Sequence, residues 1–168
     1  MNVWRSMALA MIIALAGATP GDAENCESVA ANLHTKVPEI LVSDRSTDDQ
    51  AVIVALKNPD IDELTLTCTS GEITDPPLLT AKANATWPSS NFYDVLSSAG
   101  AAVASTTTSA IRSGSVLCAQ RAMTADKNTT TYDVNGIHFE CTTTTGVDGS
   151  TRIRLSKIKD TQPSSPPQ

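Results

Sequence analysis

The chain holds 168 residues, of which 40% are hydrophobic, 18% charged and 4% aromatic, with 12 Lys and Arg against 18 Asp and Glu. This is the balance of one modest globular domain, and it excludes a collagenous, a wholly disordered and a strongly basic chain. A formal net charge of -6 also argues against strong sequence-independent binding to a nucleic-acid backbone.

Residues 1–23 follow the order of a secretory signal. Arg5 supplies a positive start, Met7 to Ala18 is apolar throughout, and Pro20, Gly21 and Ala23 supply a helix breaker and small residues for cleavage. The apolar run is too short to span a bilayer. Cleavage is expected after Ala23, with Ala18 as the second site, and it leaves no integral membrane segment. It removes Arg5 and Asp22 together, so the net charge is unchanged. The remaining chain reads as a single domain over 24–159, followed by a polar, Pro-rich tail over 160–168 that is expected to be disordered.

From Glu24 to Val37, Cys26, Val29, Ala30 and Leu33 recur at helical spacing, and Pro38 ends the segment. Ala51 to Lys57 is a β-branched apolar run stopped by the turn residues Asn58-Pro59-Asp60. Leu64 to Cys68 alternates apolar and polar as a half-buried strand does, and Leu78 to Ala83 forms a further strand after a Gly- and Pro-containing loop. Trp87-Pro88-Ser89 opens a helix that Phe92, Leu96, Ala99 and Val103 continue. The stretch from Ser97 to Ser115 is rich in small residues. It is read as one helix whose small face lies close to a sheet; a break near Thr106 to Ser109 is the competing reading. Leu117, Cys118, Arg121 and Ala122 resume helical spacing. Thr129 to Val134, Ile137 to Thr144 and Arg152 to Ile158 then read as three strands, the first two joined by Asn135-Gly136, a strong type I′ hairpin signal.

Cysteines at 26, 68, 118 and 141, with no Cys-x-x-Cys spacing, read as two disulfides of an exported protein rather than as a metal or redox site. Two segments share a pattern: Leu64 to Ser70 and Ile137 to Thr143 both run apolar, any, apolar, any, Cys, Thr, hydroxyl residue. The match suggests a duplication of α-β-β-β units, with halves at 24–84 and 88–159 and with Leu79 and Ile153 as equivalent strand centres. Pairing each helix cysteine with the strand cysteine of its own half gives Cys26 with Cys68 and Cys118 with Cys141. The expected fold is α+β: an antiparallel sheet with helices packed on one face, stapled by those bonds.

A two-residue turn sets Val134 opposite Ile137, Asp133 opposite His138, Tyr132 opposite Phe139 and Thr130 opposite Cys141. Asp133, His138 and Glu140 then share the solvent face, read as a solvated surface, with an acid–base or metal site built on an imidazole between carboxylates as the alternative. For the last hairpin, a three-residue loop Val147-Asp148-Gly149 with Gly149 at positive φ sets Cys141 against Leu155 and Thr143 against Ile153. Arg152 and Arg154 join His138 and Glu140 outside. With Lys157 and Lys159 they read as charges protecting an edge strand, or alternatively as a patch for an anionic partner. His34 is assigned a solvent or helix-dipole role. Asn84-Ala85-Thr86 and Asn128-Thr129-Thr130 match glycosylation sequons.

No nucleophile elbow, zinc-protease helix or phosphate loop is present, and no metal or cofactor is expected. The favoured reading is a non-enzymatic binding or structural protein, periplasmic or secreted, with an unknown protein or envelope partner. The alternative is an exported hydrolase with a dispersed site around His138. Intact-mass analysis of the exported protein is expected to find a chain beginning at Glu24; a mass retaining residues 1–23 overturns the cleavage.

Overall fold

The computed structural model describes residues 26–47, 51–69 and 75–159, so the signal, its cleavage sites and the tail over 160–168 lie outside the described residues. In chain order the elements are α1 (Cys26–Lys36), β1 (Leu41–Thr47), β2 (Ala51–Asn58), β3 (Ile61–Thr69), β4 (Leu78–Ala83), α2 (Ser90–Ala104), α3 (Thr108–Thr124), β5 (Thr129–Val134), β6 (Ile137–Thr144) and β7 (Ser150–Lys157). The strands form one antiparallel sheet in the order β1-β2-β3-β4-β7-β6-β5. Alternation along each strand sends one set of side chains to each face. Register then lines up Val54, Leu66, Leu79, Leu155, Phe139 and Tyr132 as one apolar row across six strands.

All three helices cover that face, as the sequence pattern requires of an α+β protein. Cys68 and Cys141 belong to the same face, and they hold α1 and α3 through the disulfides Cys26–Cys68 and Cys118–Cys141. With partners 42 and 23 positions apart in sequence, each bond contributes about 3 to 4 kcal/mol by restricting the unfolded chain. Val29, Ala30 and Leu33 bury the inner face of α1, while the Glu27–Arg45 ion pair ties its outside to β1. Small residues bring α2 and α3 close. A Cβ added to Gly100 would lie 2.9 Å from Ile111 and 3.1 Å from Leu155, and one on Gly114 would lie 2.5 Å from the Phe139 ring.

The expected single helix is two. Ser105 adopts the left-handed conformation at φ 52 and ends α2, and Thr107 caps α3, its hydroxyl accepting from the Ala110 N–H at 3.3 Å. A threonine run disfavours helix interior but serves an N-terminus well, because its hydroxyl satisfies a free N–H. Ser89 does the same for α2, accepting from Phe92 at 3.3 Å. The small-residue face still produces the close approach expected of it, now from two helices.

The first β5–β6 register is as the Asn135-Gly136 turn demands, with φ values of 53 and 75 at its two residues. The last hairpin differs. Phe139 faces Leu155, Cys141 faces Ile153 and Thr143 faces Thr151, two residues from the expected register. A longer connection accounts for the shift: Thr144 pairs with Ser150, and the positive φ falls on Gly146, at 108, rather than on Gly149. Thr86 anchors this loop by donating its hydroxyl to the Thr144 carbonyl at 3.0 Å. A slip of two preserves the faces, so the core set remains as read.

The halves are not simple α-β-β-β units. The first has an added strand, β1, and the second has two helices. Within the sheet, however, Val52 faces Cys68 as Thr130 faces Cys141, and Leu66 faces Leu79 as Phe139 faces Leu155. The residue equivalent to Leu79 is therefore Leu155, not Ile153, and these two are paired with each other at the seam.

Leu155 is fully buried, and Leu155→Ala is expected to cost about 2 to 5 kcal/mol. Gly114→Ala gains roughly 1 kcal/mol of helix propensity but forces the Phe139 ring aside at about 1 to 3 kcal/mol, so it is expected to destabilise. His138→Ala, on the other face, is expected to stay within about 0.5 kcal/mol. Chemical-denaturation midpoints of the three variants check this.

Candidate functional site

With all three helices on one side, no helix or strand among the described residues covers the opposite face of the sheet. Its rows follow from the register. One runs Ala55, Thr65, Thr80, Arg154, Glu140, Thr131; the next runs Glu63, Lys82, Arg152, Thr142, Thr129. Hydroxyl and charged residues predominate in these two rows, and Thr129 and Thr142 share a hydrogen bond of 3.1 Å.

The five residues singled out from sequence, Asp133, His138, Glu140, Arg152 and Arg154, all lie here. The structure joins them as two pairs: Asp133 Oδ1 is 2.5 Å from His138 Nδ1, and the Arg154 guanidinium donates to Glu140 Oε2 at 3.0 Å. Arg152 stands apart from both, opposite Lys82 on one side and Thr142 on the other. The edge-protection reading of Arg152 and Arg154 is overturned, because β7 lies between β4 and β6 at the centre of the sheet. The edges are β1, all of whose residues are exposed and whose register slips at Val42/Asp44, and β5. Such an irregularity, with Asp44 and Arg45 beside it, discourages pairing with another chain. Of the other two basic residues of that group, Lys159 pairs with Asp75 at 3.6 Å and Lys157 is exposed.

Sequence reasoning missed Ser156, which faces His138 from the β7 side. The correct hairpin register would have found it. Asp133, His138 and Ser156 thus stand in one row, the residue types of an acid–base relay with a hydroxyl beside it. Contact with Asp133 orients the imidazole, yet the His138 and Asp133 side chains remain 43% and 63% exposed. Water therefore screens the pair, and the site lacks the dry, preorganised surroundings that give such groups their catalytic strength.

Three hollows lie elsewhere. One of about 400 Å³ sits at the β2–β3 turn against Leu41, Lys57, Asn58 and Ile61, and one of about 420 Å³ between α1 and β1 against Ala30, His34 and Val42. A third of about 330 Å³ separates the start of α3 from Asp94 and Ser97. None of the three touches the five residues above. His34 lies exposed in the last turn of α1, where a solvent or helix-dipole role is expected of it, and in addition its Nδ1–H donates to the Ile40 carbonyl at 2.8 Å, bracing the turn into β1. Among the described residues, no group of three or more His, Cys, Asp or Glu is placed to hold a metal ion, and no helix is long and apolar enough to cross a membrane.

No family model matches the chain, and neither a curated protein nor a solved structure shows significant similarity to it.

Among the described residues, one titrating group is strongly perturbed, and it lies on the buried side of α2. Tyr93 packs edge-on against Phe92 at 5.3 Å, its hydroxyl is buried without a hydrogen-bond partner, and burial pushes its pKa from 10.0 up to about 12. The unfolded chain thus loses this proton near pH 10 while the fold retains it to about 12. Stability from this residue is complete below the lower value and falls as pH rises through the window. Tyr93→Phe breaks no hydrogen bond and is expected to change stability by less than about 1 kcal/mol at neutral pH. Above pH 10 the variant should become the more stable of the two, as denaturation midpoints across an alkaline series would reveal.

Proposed function

We propose that this is an exported, non-enzymatic binding protein of the envelope or extracellular space, and that the uncovered face of its sheet is the surface that meets the partner. The observation that carries this reading is the division of the sheet. Three helices and two disulfides fix one face, while the other presents rows of threonine and charged side chains at regular strand spacing. A rigid, flat, solvated array suits recognition of an extended partner better than chemistry on a small enclosed substrate. Disulfides of this kind form in oxidising compartments, which supports export.

The Asp133–His138 contact supports a second reading, an exported hydrolase using His138 as base. It would require hydrolytic activity that His138→Ala abolishes.

A photoreactive residue at position 142, in the mature protein returned to its own envelope or medium, tests the binding reading. A discrete adduct is expected from position 142 and none from position 120, where Gln120 is exposed on α3. Adducts from position 120 alone, or from neither position, would remove the open face from consideration.

A further inference from the structure

We infer that the Lys82–Arg152 pair at the centre of the open face is a binding site for the anionic groups of a polysaccharide. This rests on the open face being the binding surface and gives its partner a chemistry. Lys82 and Arg152 are directly opposite in the β4–β7 ladder, which sets their Cβ atoms about 5 Å apart. Like charges so placed repel each other and weaken the sheet. The arrangement stands at the middle of the molecule in a chain of net charge -6, where edge protection has no purpose. A locally unfavourable choice without structural gain marks a functional position.

The neighbours define what the pair takes. Arg154, two residues along the same face, is engaged by Glu140 at 3.0 Å, and Glu63 lies opposite Lys82 from the β3 side. Among the described residues, no carboxylate comes within ion-pair distance of Lys82 or Arg152 themselves. An anion between them would meet an ammonium and a guanidinium fork, both strong charge-assisted donors. Thr80 and Thr142 stand on either side, with Thr65, Thr67 and Thr131 extending the hydroxyl surface along the sheet. Such a surface matches a polyhydroxylated chain carrying spaced negative groups. A protein partner would be expected to meet an apolar, aromatic-rich centre, and these rows contain no aromatic residue. An anionic bilayer would bring a continuous plane of charge against Glu63, Glu140 and Asp133 as well, whereas a polymer with spaced carboxylates is able to seat one between Lys82 and Arg152 and pass its hydroxyls over the neighbouring residues.

The test compares binding of the mature, disulfide-bonded protein to immobilised polygalacturonate, to neutral dextran and to phosphatidylglycerol vesicles at about 0.15 M salt. Polygalacturonate is expected to bind roughly tenfold more tightly than dextran. Lys82→Gln combined with Arg152→Gln should erase that preference, whereas Lys127→Gln, which removes an exposed charge off this face, should preserve it. Arg152→Gln alone should also raise the denaturation midpoint, because it relieves the repulsion and removes no carboxylate partner across the ladder, whereas Lys82→Gln loses the opposition of Glu63 as well. No preference over dextran, an equal loss with Lys127→Gln, stronger binding to vesicles, or an Arg152→Gln variant less stable than the parent would each overturn the inference. If the polymer fails while position 142 still cross-links a partner, only this inference falls; failure of both removes the open-face reading as well.

Discussion

Burial of one apolar row, from Val54 through Leu66, Leu79, Leu155 and Phe139 to Tyr132, is the constraint from which the rest of the molecule follows. The row crosses six strands, and the chain has few aromatic side chains with which to fill space above it. The helices must therefore come to the sheet rather than reach for it through bulky residues. Gly100 and Gly114 allow that approach by leaving room for Leu155, Ile111 and Phe139. The disulfides hold α1 and α3 against the Cys68 and Cys141 ends of the same face. Where the cover thins at β5, Arg121 lies over the Tyr132 ring at 4.2 Å and supplies both apolar stem and cation–π contact.

Commitment of every helix to one face decides what chemistry the other can do. Charges there sit in high dielectric, so the Asp133–His138 and Glu140–Arg154 pairs add little to stability. What the face retains is order: residues held at fixed separations by strands whose other side is a close-packed core. On the binding reading proposed above, such a surface would distinguish partners by the pattern of donors and charges they present, and affinity would depend on many small matched contacts along a line rather than on one deep pocket.

Much of this layout is written in local residue choice. Asn135-Gly136 accepts positive φ at both positions, so the β5–β6 register, the Asp133–His138 opposition and the core face of β6 follow from two letters. The strands with clean alternation, β4 and β6, have the bounds their patterns imply. What escaped was decided by tertiary context. β1 has every residue exposed and no alternation, and it exists as a strand because β2 offers it a ladder. The break at Ser105 depends on whether a threonine run is worth more as cap than as helix, which packing against the sheet resolves. The last hairpin turned on which of two glycines, Gly146 or Gly149, bends the chain, and both were plausible. The place of β7 was the costliest omission, since strand order between distant segments leaves no periodic trace, and it alone separates a protected edge from a central cationic pair.

The seam between β4 and β7 has a bearing on how the molecule is made. Each disulfide closes inside its own half, so the halves can acquire their bonds separately as the chain folds. Among the described residues, the one ladder that joins them pairs Leu79 and its neighbours with β7, the last of the described strands in chain order. Until that strand arrives, β4 presents an unpaired border to other unfinished chains nearby. A second copy in the same condition offers an identical β7, and exchange of that strand would build an intertwined pair using no contact foreign to the single chain. Late arrival of the closing strand thus makes the centre of the finished sheet the most exposed part of the unfinished one.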